Sequence, residues 1–482
     1  MISGKQSTVA ALLLSRFLPL LLGIVLSFVA AYLILNDNLV FLVPVLFLIP
    51  ASVLFLHYPF VSILIWLVIY PFFIHTLDPS GRYMYWILHR AMIPGTLVIV
   101  IALYMLDVSK KKIRLHAVDF FILIYFFYAV ANIFLLTANP STKLIHFYDR
   151  IIVPICIFYI VRFISLTEKD MKWLVPAVTI LIWMQTIIGL LSWFQPGMLP
   201  VQWLGRAGER TTGTFGNPGV FTTTLLFCAV ILIQYYSTSK SPYGKLISFV
   251  SIGAAFFMVF LSFSRGSWLG AAIVVAGLLY LYPKQMFRLL TVLFVIFVIL
   301  SVGFLSFYVE FATERLFTES TAQGRIVGAA ATLGMIRDKP IFGWGYGNHE
   351  LYDEQYRTRV FDFAFSGENS SHNTYLLITA ELGIVGILLY LLPAIWLFFK
   401  SRKVLPELPR AGFLGRPILF MLWFLIIDQI AVAALTDLIE SNWYSTGVWW
   451  LILGLIMNII EPYLRKNQDM EETTVQLSGR TI

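Results

Sequence analysis

Long apolar stretches recur along almost the whole chain, and short polar or charged segments separate them. An α-helix needs about 20 mostly apolar residues to cross a bilayer, so the pattern predicts about 12 to 14 membrane spans. Pro44, Pro50 and Pro59 interrupt the second and third stretches, where kinked or re-entrant segments are an alternative. The predicted spans are residues 16–35, 39–56, 59–77, 91–107, 118–137, 150–166, 173–194, 220–236, 246–263, 267–282, 289–309, 374–399, 417–435 and 446–460.

Composition places the chain among membrane proteins. Of its 482 residues, 59% are hydrophobic and 12% are charged, and the mean hydropathy is +0.82. Such a chain has lipid as its main solvent. Cys156 and Cys228 both fall in predicted spans, which leaves no disulfide framework. We therefore predict an all-α fold, a polytopic transmembrane helical bundle with a large, partly helical extracytoplasmic loop.

The positions of Lys and Arg predict the orientation, because short cytoplasmic loops collect these residues. An N-terminus in the cytoplasm puts both termini and each basic cluster between spans on that side. The net charge of +8 is then a topology signal plus attraction to anionic lipid heads, and it does not indicate nucleic-acid binding. The clusters are Lys110–Lys112 with Arg114, Lys169 with Lys172, Lys240 with Lys245, Lys284 with Arg288, and Lys400 with Arg402–Lys403.

One long polar segment, residues 310–373, departs from the pattern. Connections in compact domains are usually about 2 to 8 residues long, so a loop of this size is a candidate functional element. We predict that it lies outside the membrane and contains an amphipathic helix from Ile326 to Ile336. Its segment Gly343–Gly347 resembles a glycine-rich nucleotide loop, but the preceding strand and the lysine are missing, which favours a turn.

These features divide the chain into four parts. The tail is predicted to be disordered because it is polar, charged and without periodicity. The parts are N-terminal transmembrane helices (1–204), a core that includes the outer loop (205–400), C-terminal transmembrane helices (401–462) and a disordered cytoplasmic tail (463–482).

Four arginines on the predicted outer side run against the charge bias: Arg206, Arg210, Arg265 and Arg325. Arg265 lies between two apolar stretches, and an arginine at the centre of a span costs about 2.5 to 3.5 kcal/mol on insertion scales. Snorkelling to lipid phosphates is one explanation. A phosphate-binding site is the more specific explanation, because the planar guanidinium fits phosphate oxygens bidentately. Glycines beside Arg210 allow the backbone to approach an anion closely, which favours it over Arg206.

Asp428 is an acidic residue within a predicted span. A carboxylate at that depth should have a polar partner or face a cavity. An interhelical hydrogen bond and a place beside a polar cavity are both consistent with its position.

Six short motifs follow one another between residues 205 and 390: Arg210–Gly219, Ser264–Gly266, Gln323–Arg325, Pro340–Gly347, Ser371–Leu376 and Glu381–Gly386. The ordered set resembles the O-antigen ligase/polymerase superfamily of bacterial membrane glycosyltransferases. The resemblance implies an enzyme of the bacterial cytoplasmic (inner) membrane that uses a glycan on undecaprenyl pyrophosphate as donor. It also implies an active site on the outer face and a reaction without metal or other cofactor.

By motif, the resemblance implies functional roles for Arg210, Arg265 and His372, and Arg206 and Arg325 are further candidates for pyrophosphate binding. The chemistry of these side chains agrees with the resemblance. Arginines at the leaving group stabilise the negative charge that develops on the departing phosphate. A histidine accepts the proton of the attacking hydroxyl near neutral pH, or it only orients the acceptor. His372 is therefore the predicted catalytic residue.

A metal site is an alternative function for the acidic residues that follow His349. His349, Glu350, Asp353 and Glu354 have the residue types of metal ligands, but a loop with this sequence fixes no ligand geometry. We therefore predict no metal.

Polymerisation of surface polysaccharide is the predicted activity, in which a growing glycan on undecaprenyl pyrophosphate moves to the next lipid-linked repeat unit. A ligase that transfers the glycan to lipid A-core or to protein is the close alternative, because the motifs address the donor that both reactions share. A lipid-linked oligosaccharide flippase is a third, and it would need charges along a path through the membrane. The predicted partners are the lipid-linked donor, a glycan or lipid A-core acceptor and membrane lipids, with no nucleic acid.

Overall fold

The computed structural model describes residues 53–75, 79–106, 114–164, 166–204, 210–301, 320–360, 372–436, 438 and 443–478. Within these residues the regular structure is helical and no strand occurs, which confirms the predicted all-α fold. The α-helices, numbered in chain order, are α1 (Phe60–Ile69), α2 (Pro79–Tyr85), α3 (Met92–Met105), α4 (Ala117–Leu136), α5 (Pro140–Phe147), α6 (Val153–Phe163), α7 (Glu168–Phe194), α8 (Pro218–Thr238), α9 (Pro242–Phe260), α10 (Arg265–Leu281), α11 (Pro283–Ser301), α12 (Ser320–Asp338), α13 (His349–Val360), α14 (Thr374–Val404), α15 (Arg416–Ala433) and α16 (Trp443–Ser478).

The chain is a multi-pass membrane protein. The described residues contain nine helical segments long and apolar enough to cross a bilayer. Two shorter apolar helices, Phe60–Phe72 and Arg265–Leu281, accompany them. Each predicted span from the third onward overlaps a helix, whereas the first span and most of the second lie outside the described residues. The nine segments are Gly81–Met105, Ala117–Leu136, Pro140–Phe163, Glu168–Phe194, Pro218–Thr238, Pro242–Phe260, Thr374–Glu407, Arg416–Ala433 and Trp443–Lys466.

Helix α8 lies at the centre of the bundle and packs against α7, α9, α10 and α15. Of its most apolar 18-residue window, 89% is buried. A helix that is apolar on all sides belongs in the interior. Its threonines fit there because their hydroxyls donate to carbonyls of the preceding turn, as in Thr224 Oγ1 to Val220 O at 2.7 Å.

The described part of the segment 310–373 is partly helical, as predicted, and it docks on a kink in α14. Gly383 has φ +70°, which interrupts the helix and frees backbone groups on both sides. The Gly343–Gly347 turn forms hydrogen bonds with these groups: Trp344 N donates to Ala380 O at 2.9 Å and Gly345 N donates to Glu381 O at 3.0 Å. Helices α12 and α13 bury a small second core with the same part of α14. The loop is therefore fixed to the membrane bundle.

The predicted disorder of the tail after Pro462 is wrong as far as Ser478, because α16 continues to that residue. Residues beyond Pro462 include Leu, Arg, Lys, Gln, Met and Glu, which are good helix formers. Arg465 also forms an ion pair with Glu461 one turn earlier, at 3.0 Å. Local propensity and this pair extend the helix through the polar sequence.

Candidate functional site

Arg210 lies in a loop that is tied to the end of α9. The next residue, Thr211, donates its N–H to Leu261 O at 3.3 Å. The indole Nε1 of Trp193, near the end of α7, donates to Thr211 Oγ1 at 2.7 Å. These two contacts bring the partly buried Arg210 close to the turn that carries Arg265. Arg206 lies outside the described residues.

The loop after Arg210 is held by a buried glutamine. Gln185 of α7 accepts a hydrogen bond from Thr214 N at 3.0 Å and donates to Thr214 Oγ1 at 2.9 Å. Gly213 has φ +55°, a conformation that favours glycine, and an added Cβ there would overlap the Gln185 amide oxygen. The backbone of this loop is therefore fixed at its centre by long-range contacts that no local pattern reveals.

Asn217 closes this loop and begins α8. Its Oδ1 accepts hydrogen bonds from Gly219 N at 2.8 Å and Val220 N at 3.3 Å. Asn at the N-cap followed by proline at the first helical position is a recognised helix-start signal, so this contact was accessible from sequence. The cap explains the Gly-Asn-Pro-Gly sequence of the motif in structural terms.

Arg265 is the first residue of α10 and its side chain is exposed. Ser267, in the same turn of helix, donates to Pro218 O at 3.3 Å and thereby joins the starts of α10 and α8. Two residues before Arg265, Phe263 has φ +44°. A bulky residue in the left-handed region costs about 1 to 3 kcal/mol and marks a turn held by its surroundings.

Arg325 lies in α12 and is partly buried. Burial lowers the pKa of its guanidinium, and the positive charges of Arg210 and Arg265 lower that pKa further. Arg210 and Arg265, which come from separate parts of the chain, are thus close enough for their charges to act on Arg325. We call Arg210, Arg265 and Arg325 the arginine cluster. An anion bound among them would relieve the repulsion.

His372 precedes α14 and has φ +47°. The following Asn373 caps the helix, with its Oδ1 accepting from Tyr375 N at 2.9 Å, and its Nδ2 donates to Ala434 O at 3.0 Å. Thr374 Oγ1 donates to Thr436 O at 3.3 Å and accepts from the N–H of Leu438 at 3.0 Å. Together these bonds fix the segment that carries His372 to the end of α15.

The end of α15 is the point where three motif-bearing segments meet. A Cβ added to Gly219 would lie 2.9 Å from Thr436 Cγ2, and one added to Gly266 would lie 3.3 Å from Leu435 Cβ. Asn373 contacts the same stretch through Ala434. Residues 434–436 therefore contact the starts of α8, α10 and α14. This role was not predicted, because residues 434–436 carry no recognisable motif.

Asp428 of α15 does not meet the prediction of a polar partner. It is fully buried, and in the part of the chain that the structure describes neither carboxylate oxygen has a hydrogen-bond partner. A Cβ on Gly270 of α10 would overlap its Oδ1. The close approach of α10 and α15 that Gly270 permits holds the carboxyl group against helix backbone instead of against a polar side chain.

The four candidate metal ligands near His349 do not converge on one point. His349 is fully buried and contacts Thr332 Oγ1 at 3.0 Å through Nε2, which also lies 3.7 Å from Asp353 Oδ1. Asp353 in turn binds Arg357, and Glu350 and Glu354 are exposed. Among the residues with described positions, no group of three His, Cys, Asp or Glu side chains could hold a metal ion. These residues hold α12 against α13.

Comparisons with known proteins confirm the resemblance seen in the motifs. Residues 249–391 match the family model described as O-Antigen ligase. This region contains Arg265, Arg325 and His372, and Arg210 precedes it.

Two curated relatives are similar to parts of the chain. An uncharacterized protein of Haemophilus influenzae is 24% identical over 202 residues, which cover 38% of this chain and 51% of that protein. A Rickettsia conorii protein named "putative polysaccharide ligase" is 27% identical over 150 residues, which cover 30% of this chain and 34% of that protein. The chain thus spans about half the length of one relative and about a third of the other.

Proposed function

We propose that this membrane protein transfers a glycan from undecaprenyl pyrophosphate to a carbohydrate hydroxyl on the outer face of the bacterial cytoplasmic membrane. The observation that carries the proposal is the arginine cluster, in which the charges of Arg210 and Arg265 act on Arg325. The family match over residues 249–391 supports it independently.

The arginine cluster supplies what a pyrophosphate leaving group needs. Negative charge grows on the departing phosphate as its bond to the anomeric carbon breaks, and preorganised guanidinium groups stabilise that charge. Arginine stays charged at any working pH and offers paired donors to phosphate oxygens. The cluster thereby supplies the positive charge for this step, and we propose that the reaction needs no metal ion.

His372 is the proposed general base. The acceptor oxygen forms a bond to the anomeric carbon while the bond from that carbon to the phosphate oxygen breaks. The hydroxyl proton moves to the imidazole, and the electron pair leaves with undecaprenyl pyrophosphate. A histidine titrates near neutral pH and suits this transfer. The left-handed backbone at His372, φ +47°, supports a functional reason for holding it in that conformation.

The names of the matching proteins favour ligation over polymerisation. The family description and the name of the Rickettsia relative both specify a ligase. Polymerisation is the second candidate, because the arginine cluster addresses the donor that both reactions share. The acceptor therefore decides between them.

Purified protein incubated with a defined undecaprenyl-pyrophosphate glycan, alone or with lipid A-core or an acceptor protein, tests the proposal. Products are separated by size. Transfer that occurs only with an added acceptor identifies a ligase, and a ladder of longer lipid-linked glycans without it identifies a polymerase.

Variants in this assay connect the activity to the site. We expect His372→Ala to abolish transfer and His57→Ala, a change at an exposed histidine in another part of the chain, to leave it intact. Arg265→Lys keeps the charge but removes the planar fork, so its loss of transfer would indicate bidentate phosphate binding. Absence of transfer with each authentic acceptor, together with movement of the lipid-linked glycan across vesicles, would replace the proposal with a flippase.

A further inference from the structure

A cavity with charged lining residues lies among α8, α9 and α11, away from the arginine cluster. It has a volume of about 500 Å³, and its charged lining residues are Lys245 of α9 and Arg288 of α11. In the described chain, no carboxylate lines it. The cavity is therefore a pocket of net positive charge.

The pocket lies at the opposite end of α9 from the candidate functional site. Lys245 is in the first turn of this helix, whereas Leu261, which binds Thr211, directly follows its last residue. A helix of 19 residues is about 28 Å long, close to the thickness of a bilayer hydrocarbon core. The pocket thus lies near the membrane boundary that is opposite the arginine cluster, where the sequence predicts the cytoplasm.

Apart from Thr291 and the Tyr236 hydroxyl, the remaining lining of the pocket is apolar. Phe249 and Val292 line its wall, and Leu246 and Phe287 are 61% and 72% exposed. The Lys245 Nζ lies 5.9 Å from the centre of the Tyr236 ring, which keeps the ammonium group beside an aromatic face. In a membrane protein such exposed apolar side chains contact acyl chains.

We propose that this cavity binds an anionic phospholipid of the leaflet opposite the candidate functional site. Its phosphate would lie between Lys245 and Arg288, and an acyl chain would cover Leu246 and Phe287. Two cations, with no carboxylate among the described lining residues, select negative charge, and the apolar wall selects a lipid over a soluble phosphate. Basic pockets between membrane helices bind anionic head groups in this way. The inference does not depend on the proposed function.

Native mass spectrometry of the full-length protein with phosphatidylglycerol, compared with phosphatidylcholine, tests the proposal. Each cation that contacts the lipid phosphate should strengthen anionic lipid binding about 5-fold, so Lys245→Gln with Arg288→Gln should weaken it about 30-fold. Lys240→Gln with Lys284→Gln is the matched control, because it removes the same charge from residues that do not line the cavity. The control should bind phosphatidylglycerol like the unmodified protein.

Three results would overturn the proposal. Equal weakening by both double variants would mean general surface attraction, and equal binding of the two lipids would remove the role of charge. Displacement of phosphatidylglycerol by an equal concentration of glycerol phosphate would identify a soluble phosphate instead of a lipid. Circular dichroism and size-exclusion profiles of both double variants confirm that the comparison is made on folded protein.

Discussion

Arg325→Gln removes one charge from the arginine cluster and should lower activity without a loss of stability. Burial and the charges of Arg210 and Arg265 lower the pKa of Arg325. The charged side chain is therefore less favourable in the folded protein than in the unfolded chain, so this charge opposes folding at neutral pH. We expect thermal stability in detergent to stay the same or to rise by up to about 1 kcal/mol.

The rate of glycan transfer from the donor should decrease. A hydrogen bond from a charged donor contributes about 1.5 to 3 kcal/mol, so its loss corresponds to a decrease of about 10- to 150-fold in transfer rate at limiting donor. The assay is glycan transfer by purified protein at donor concentrations below saturation, with thermal unfolding measured on the same preparation. Replacement of a residue that serves stability would lower both the stability of the protein and its transfer rate. Replacement of a residue that serves function lowers the transfer rate and leaves the stability equal or higher.

The matched control is Arg337→Gln in the same helix. Arg337 is exposed in the last turn of α12, where a positive charge interacts favourably with the helix dipole. This variant should lose up to about 1 kcal/mol of stability and retain normal transfer. If Arg325→Gln instead lost stability and kept normal transfer, Arg325 would be a structural residue and the reasoning would be refuted.

Three further predictions concern the scaffold of the site. Gln185→Leu should destabilise the protein by about 1 to 3 kcal/mol because it leaves Thr214 N without its buried acceptor; an unchanged melting temperature in detergent would contradict this. Gly270→Ala should cost about 1 to 3 kcal/mol through overlap with Asp428, and Asp428→Ala should restore the loss, so additive effects in the double variant would exclude the contact. Burial lowers the pKa of His75 below its usual value of 6.5, and the hydrogen bond to Phe215 O offsets only part of this effect. Stability from His75 is then complete above about pH 6.5 and decreases as pH falls towards the lower folded-state pKa, so His75→Gln should show a smaller loss of melting temperature on acidification, and an equal loss would refute the assignment.

The membrane-spanning helices were predictable because each depends on local apolar sequence. From the third onward, every predicted span overlaps a helix. The arginines were singled out for a different reason, because they fall in segments that the predicted topology places on the side with few basic residues. Arg325 shows the limit of this reasoning: its charge neighbours come from positions 210 and 265, and only tertiary structure brings them together.

Other features depend on contacts between distant segments and had no sequence signal. The bonds from Gln185 to Thr214 and from Asn373 to Ala434 join residues far apart in the chain. Asp428 was predicted to have a polar partner or to face a cavity, but the close packing that Gly270 permits could not be read from one sequence. The continuation of α16 shows the opposite case, in which local helix propensity was sufficient and the polar composition misled.

The fate of the pyrophosphate tests the central claim most directly. A single-turnover reaction with a donor that carries a radiolabelled phosphate next to the glycan reports which bond breaks. We predict that label leaves the glycan as intact undecaprenyl pyrophosphate, in step with glycan transfer, and that His372→Ala stops both. Label that moves to the acceptor with the sugar, or that leaves as inorganic phosphate without transfer, would contradict the account.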